Sequence, residues 1–146
     1  MNELSPDEQK LIEISKEAIK NSYSPYSNFK VGAAVLLDNG EIIRGSNQEN
    51  AAYPSGLCAE RVALFYANAN YPENKVIAIA ITAANDKGIL QFPIAPCGSC
   101  RQVMLETEQR FNKSIRTFLM GNDKIYRIDS VEQLLPLHFN RNFLSL

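Results

Sequence analysis

The N-terminal segment has the polar and apolar spacing of an amphipathic helix. Ser5-Pro6-Asp7-Glu8 combines a helix-capping residue, a proline suited to the first helical position and a glutamate that completes a capping box. The helix is predicted to end before Ser24-Pro25, because a residue that precedes proline avoids the helical region. Its buried face is formed by residues at helical spacing, namely Leu11, Ile12, Ser15, Ala18 and Ile19.

A hairpin and a buried strand follow. The mostly apolar segment Lys30 to Leu37 is separated from Glu41 to Gly45 by Asp38-Asn39-Gly40, and Asn-Gly favours a tight hairpin turn. Lys75 to Ala84 contains a continuous apolar run, which is typical of a central strand covered on both faces.

The remaining pattern alternates helices with strands. We predict helices over Cys58 to Asn70, Gly98 to Arg110 and Val131 to Leu135, and strands over Ile115 to Met120 and Lys124 to Ile128. The order α-β-β-α-β-α-β-β-α implies crossover helices after an initial hairpin. It predicts an α/β fold with a mixed five-stranded sheet between helices on both faces, a three-layer α/β/α sandwich.

Length and charge narrow the functional classes. The 146 residues contain no linker and predict one domain, residues 1–146. The net charge is 15 − 16 = −1, which opposes a nucleic-acid partner. No apolar run is long enough to span a membrane, and Met1 to Lys10 has no signal-peptide pattern. We therefore expect a cytoplasmic protein whose thiols stay reduced.

The three cysteines are the first indication of chemistry. Cys97 and Cys100 form a C-x-x-C motif, which alone fits a redox pair, half of a metal site or two incidental cysteines. Cys58 lies at another predicted helix start. At such positions the helix dipole favours the thiolate, which is the form that binds zinc.

Three thiolates are one ligand fewer than a closed structural zinc site requires. The chain's only histidine, His138, could complete such a site, although lone histidines are more often structural. The alternative is an open position filled by water, which is typical of catalytic zinc. Glu60 would then be a candidate base, although a glutamate in the first turn of a helix is, taken alone, more often an exposed carboxylate favoured by the helix dipole.

Together the motifs resemble a known family. Cys58-Ala59-Glu60 and Pro96-Cys97-Gly98-Ser99-Cys100 match the zinc-deaminase signature in its three-cysteine form. From about Tyr23 to Phe139 the chain resembles the small, homotetrameric cytidine deaminases. The motifs that carry the likeness are Val31 to Ala34, Asn47 to Tyr53, Cys58 to Arg61, Pro96 to Val103 and Leu134 to Pro136.

The resemblance implies a hydrolytic deaminase. Its expected reaction converts cytidine and deoxycytidine to uridine and deoxyuridine and releases ammonia. One Zn²⁺ per chain is expected on Cys58, Cys97 and Cys100. Glu60 is expected to be the general acid/base that carries a proton to the ring nitrogen and assists the departing amine. The expected partners are the nucleoside and three further copies of the chain.

The resemblance also implies residues that hold the substrate. Asn47 and Glu49 match the pair that binds the ribose hydroxyl, and a carboxylate there would repel a phosphate. Arg61 matches a residue that donates to the thiolates, which would offset the negative charge of the cluster. The other matches are Phe29 in the pocket wall, the Ala59 backbone at the base edge, and the aromatics Tyr26, Tyr53 and Phe139, partly supplied by neighbouring subunits.

Three alternatives stay open at this point. One is a deaminase for another cytosine-containing small molecule, which Asn47 and Glu49 oppose. Another is a polynucleotide editor, which the charge opposes. The third is a zinc-stabilised binding module with four protein ligands. No role is assigned to His138, and residues 91–94 precede the second zinc motif, where they could alter the pocket rim.

Overall fold

The computed structural model describes residues 3–144. Every helix and strand expected from the sequence is present, and the ends lie within about two residues of the expected ones with two exceptions. The first helix, expected to end before Ser24-Pro25, is α-helical to Ala18 and continues as a 3-10 turn over Ile19–Asn21. The last expected helix is a 3-10 turn. The α-helices are α1 Pro6–Ala18, α2 Ala59–Asn70 and α3 Gly98–Phe111; the strands are β1 Lys30–Leu37, β2 Ile42–Ser46, β3 Val76–Asn85, β4 Gly88–Ile89, β5 Arg116–Met120 and β6 Ile125–Ile128; and the 3-10 turns are Ile19–Asn21, Tyr53–Ser55, Val131–Leu134 and Arg141–Leu144.

The sheet is mixed, as predicted. Its order is β2-β1-β3-β5-β6, with β1 antiparallel to both β2 and β3, and β5 antiparallel to β6. Among the strands of residues 3–144, only the β3–β5 pair is parallel, because α3 crosses over between these two strands. The two-residue strand β4, which the sequence pattern does not reveal, pairs with the end of β3, so the sheet in this part of the chain has six strands and not the expected five.

Helices cover both faces of the sheet, which gives the predicted three layers. On one face, Leu11 and Ile12 of α1 pack with Ala78 and Ala80 of β3. On the other face, residues of α2 and α3, including Leu64 and Met104, pack with Ile79 and Ile81 of the same strand. The alternation of alanine with isoleucine along β3 therefore lets α1 approach closely while larger side chains fill the opposite core.

Local features at Ser5 and Gly45 position α1 and α2, respectively. The predicted capping box at Ser5 is present and fixes the start of α1. On the other side of the sheet, a Cβ atom at Gly45 would lie only 2.3 Å from the Ala59 carbonyl oxygen. Glycine at this position therefore allows the first turn of α2 to rest directly on β2.

None of the helices within residues 3–144 has the length and apolar character needed to cross a membrane.

Candidate active site

Two helix N-termini bring the three cysteines together. Cys58 is the N-cap of α2, Cys97 is the N-cap of α3, and Cys100 lies in the first turn of α3. The Cys97 sulfur lies 3.8 Å from the Cys58 sulfur and 3.4 Å from the Cys100 sulfur. The helix dipoles at these positions favour thiolates, which are good metal ligands.

The donor set and its spacing fit a zinc ion. Tetrahedral zinc with Zn–S bonds of about 2.3 Å places its sulfur ligands about 3.8 Å apart. The three sulfur atoms all lie within 4.8 Å of one another, so the group could hold the predicted zinc. Among residues 3–144, no fourth His, Cys, Asp or Glu donor joins the group. His138 is engaged elsewhere, with Nδ1 2.7 Å from the Leu135 carbonyl oxygen.

The pKa values of the Cys58 and Cys100 thiols are shifted in opposite directions. A hydrogen bond from Cys100, supported by Arg61 and Cys97, lowers the pKa of Cys58 to about 5. The same interaction with Cys58, together with burial, raises the pKa of Cys100. Arg61 donates from Nη2 to the Cys58 sulfur over 3.4 Å, as the resemblance implies. The guanidinium thus places positive charge against a cluster that would otherwise be negative.

Glu60 lies beside this cluster in the first turn of α2. It is only 4% exposed, so the alternative of a solvated surface carboxylate is wrong. Burial raises the pKa of Glu60, and the charge of nearby Cys58 raises it further. A carboxyl whose pKa is raised towards neutrality is suited to both accepting and returning a proton.

A cleft of about 480 Å³ opens next to Cys58. Six of the residues that the resemblance implies contribute to its wall, and Ser27 lies among them. The six are Tyr26, Asn47, Glu49, Tyr53, Cys58 and Arg61. The structure therefore joins the expected sugar-binding pair, two of the expected aromatics and one edge of the cysteine cluster in one depression.

The cleft wall at residues 47–49 is held by backbone pairing with two flanking segments. Tyr23 bonds to Asn47 and Glu49, and Leu57 bonds to Gln48. The Asn47 side chain accepts a hydrogen bond from the Val31 N–H (2.8 Å) and donates one to the Phe29 carbonyl (2.8 Å). The Asn47 side chain therefore fixes the backbone at the start of β1 as well as lining the cleft.

The comparison with known proteins decides the family. The family sequence model of the cytidine and deoxycytidylate deaminase zinc-binding region matches residues 5–113. The chain belongs to this family.

Members of the family match nearly the whole chain. A cytidine deaminase of Halalkalibacterium halodurans is 48% identical over 132 residues, which cover 89% of this chain and 92% of the relative. One from Sporosarcina psychrophila is 39% identical over 140 residues, with 95% and 96% covered. The crystal structure of a cytidine deaminase from Burkholderia pseudomallei matches with a TM-score of 0.77 at 38% identity, covering 93% of this chain and 100% of the other.

Several residues that the family resemblance implies lie outside the wall of the cleft. Ala59 is fully buried, and Phe29 is half-buried against the core. Phe139 is 57% exposed, stacks on Phe143 with ring centroids 5.7 Å apart, and is tied to α3 through its carbonyl by Gln102. The side chain of Phe139 therefore does not enter the cleft of its own chain.

Two residues near the site carry interactions that the sequence analysis missed. Arg101 donates to the carbonyls of Pro96 and Leu134, each over 2.8 Å, and so fastens the segment before Cys97 to the turn at Val131–Leu134. Ser27 bonds to Glu49 through both its backbone and its side chain. The position of Arg101 directly after a cysteine ligand candidate could have indicated a role, whereas nothing in the local pattern distinguishes Ser27.

Proposed function

We propose that residues 1–146 form one catalytic domain that hydrolyses cytidine and deoxycytidine to uridine and deoxyuridine with release of ammonia. The observation that carries the proposal is the group of three cysteine sulfurs beside the buried Glu60 carboxyl, at the edge of a nucleoside-sized cleft. Cytidine deaminases that match almost the full length of the chain support the choice of substrate.

In this proposal Cys58, Cys97 and Cys100 hold one zinc ion. When bound, zinc supplies a water nucleophile at neutral pH. Glu60 accepts one proton of the water as the water oxygen bonds to carbon 4 of the ring, and it delivers that proton to the ring nitrogen. Glu60 then moves the second proton of the same oxygen to the exocyclic amine, which leaves as ammonia when the carbon–nitrogen bond breaks. Acid–base work of this kind accelerates a reaction by about 10²- to 10⁴-fold.

The cleft favours a nucleoside over a phosphorylated substrate. The Glu49 carboxylate would repel a phosphate, and the net charge of −1 offers little attraction to a polynucleotide. We assign Asn47 and Glu49, which line the cleft, to the sugar. Phe29 and the backbone of Ala59 lie outside the cleft wall of the single chain, and the family resemblance alone supports their assignment to the base. A cytoplasmic location stays a prediction.

The test of this function is a product assay with the zinc-loaded protein. We expect cytidine and deoxycytidine each to give equal amounts of deaminated nucleoside and ammonia, measured by chromatography and a coupled ammonia assay. Cytidine monophosphate is the matched control, and we expect it to react far more slowly. Release of ammonia from the nucleotide but not from either nucleoside would contradict the proposal.

We also propose a homotetramer in which Phe139 contributes to a neighbouring site, with Tyr26 and Tyr53 near the shared boundary. The C-terminal segment carries exposed apolar side chains at Leu137 (93%), Phe139, Phe143 and Leu144. An apolar patch of this kind is typical of a protein–protein contact.

Removal of residues 137–146 should raise KM and weaken assembly, while zinc content stays near one per chain. The three sulfur donors, Cys58, Cys97 and Cys100, all lie outside the removed segment, so metal binding should not depend on it. Sedimentation, steady-state kinetics and metal analysis measure the three properties. A fully active monomer at assay concentration would rule out the shared site.

A further inference from the structure

The loop that precedes β1 adopts a conformation that needs support from other parts of the chain. Asn28 has a φ angle of 57°, in the left-handed region that non-glycine residues adopt infrequently. Its N–H donates to the Ser24 carbonyl (3.0 Å), which closes a turn just before Phe29. The direction in which Phe29 leaves this loop therefore depends on what holds the turn.

Glu49 holds this loop through direct hydrogen bonds. Its Oε1 accepts hydrogen bonds from the backbone N–H groups of Tyr26 (2.9 Å) and Ser27 (3.1 Å). Its Oε2 accepts a hydrogen bond from the Ser27 hydroxyl. The Ser27 hydroxyl lowers the pKa of Glu49 most strongly, which favours the ionised carboxylate.

The Ser27 hydroxyl forms a second hydrogen bond, in which it accepts from the Phe29 N–H over 3.1 Å. The other end of the same residue is held by Asn47, whose side chain donates to the Phe29 carbonyl over 2.8 Å. Both residues assigned to the sugar therefore fix the backbone of Phe29. Asn47 holds the Phe29 carbonyl directly, and Glu49 holds the Phe29 N–H indirectly, through the Ser27 hydroxyl.

The arrangement also limits what Glu49 can offer a ligand. A carboxylate has about four acceptor positions. Three hydrogen bonds from Tyr26 and Ser27 occupy part of this capacity and fix the carboxylate orientation. About one acceptor position is left for a hydroxyl group in the cleft.

We propose that Ser27 is a positioning residue for sugar recognition, which orients the Glu49 carboxylate so that its remaining acceptor position meets a ribose hydroxyl. This inference rests on the proposed function, since it takes a nucleoside as the ligand. Without the Ser27 hydroxyl, Oε2 loses its partner and the carboxylate can rotate. The Phe29 N–H also loses its acceptor, but the Phe29 backbone is still held through its carbonyl by Asn47, so the surroundings of the base should change little.

The test compares Ser27→Ala with Ser27→Thr on two nucleosides, cytidine and 2′,3′-dideoxycytidine, which lacks both ring hydroxyls. We expect Ser27→Ala to raise KM for cytidine about tenfold, the scale of a lost hydrogen bond to a charged group. We expect kcat, zinc content and the circular dichroism spectrum to stay near the parent's. For dideoxycytidine, KM, or the inhibition constant where turnover is slow, should change less than twofold. Ser27→Thr keeps the hydroxyl and should restore most of the loss.

Two outcomes would overturn the role of Ser27. Equal weakening of both nucleosides would show that the residue only supports the loop, and an unchanged KM for cytidine would show that Glu49 is oriented without it. Failure of the proposed function is seen separately, as absence of cytidine turnover by the parent protein. In that case calorimetric binding constants for the same two nucleosides decide the role of Ser27.

Discussion

Glu60→Gln should lower kcat for cytidine by at least about 100-fold while zinc content and fold are retained. Glutamine fills the same buried volume and can form hydrogen bonds, but it cannot carry the proton between nucleophile, ring nitrogen and amine. The buried position of Glu60 leaves little room for solvent to replace it. Steady-state kinetics and metal analysis on the same preparation measure both properties.

The matched control for this substitution is Glu106→Gln, which changes an exposed glutamate of α3. It should leave kcat within twofold of the parent value. If Glu60→Gln kept activity within tenfold of the parent protein, Glu60 would not be the general acid/base.

Cys97→Ala should bring zinc content well below one per chain after dialysis against a chelator, and turnover should be lost with the metal. The Cys97 sulfur is one corner of the three-sulfur group, 3.8 Å from the Cys58 sulfur and 3.4 Å from the Cys100 sulfur, so its removal leaves only two sulfur donors. Metal analysis by mass spectrometry gives the stoichiometry directly.

His138→Ala is the control for the metal site, because it removes the chain's only histidine. Its ring faces the Leu135 carbonyl oxygen, so zinc content should be unchanged. A Cys97→Ala protein that still held one zinc per chain would contradict the three-cysteine site.

The elements that could be predicted are those with strong local signals. The capping box at Ser5, the Asn39-Gly40 turn and the apolar run of β3 each act within a few residues of sequence. Strand β4 has only two residues and exists because Ala84 and Asn85 offer partners, so no periodic pattern could reveal it. The turn at Val131–Leu134 was expected to be α-helical, and four residues are too few to distinguish the two forms.

The active-site residues likewise divide into those marked by local sequence motifs and those that depend on contacts between distant parts of the chain. The convergence of Cys58 with Cys97 followed from motifs at two helix starts, and the structure places their sulfurs together. The link from Ser27 to Glu49 spans 22 residues and joins a loop to another loop, so no spacing rule marks it. Glu60 was ambiguous in the sequence because burial, which distinguishes an acid/base from a surface carboxylate, depends on how α2 packs on the sheet.

The proposed reaction requires one zinc ion held by three protein sulfurs, with a fourth position open. X-ray absorption spectroscopy at the zinc edge of the parent protein tests it most directly. We expect three sulfur ligands at about 2.3 Å and one oxygen or nitrogen ligand, in a spectrum that His138→Ala leaves unchanged. A spectrum with four protein ligands, or one in which His138→Ala removes a nitrogen ligand, would contradict it.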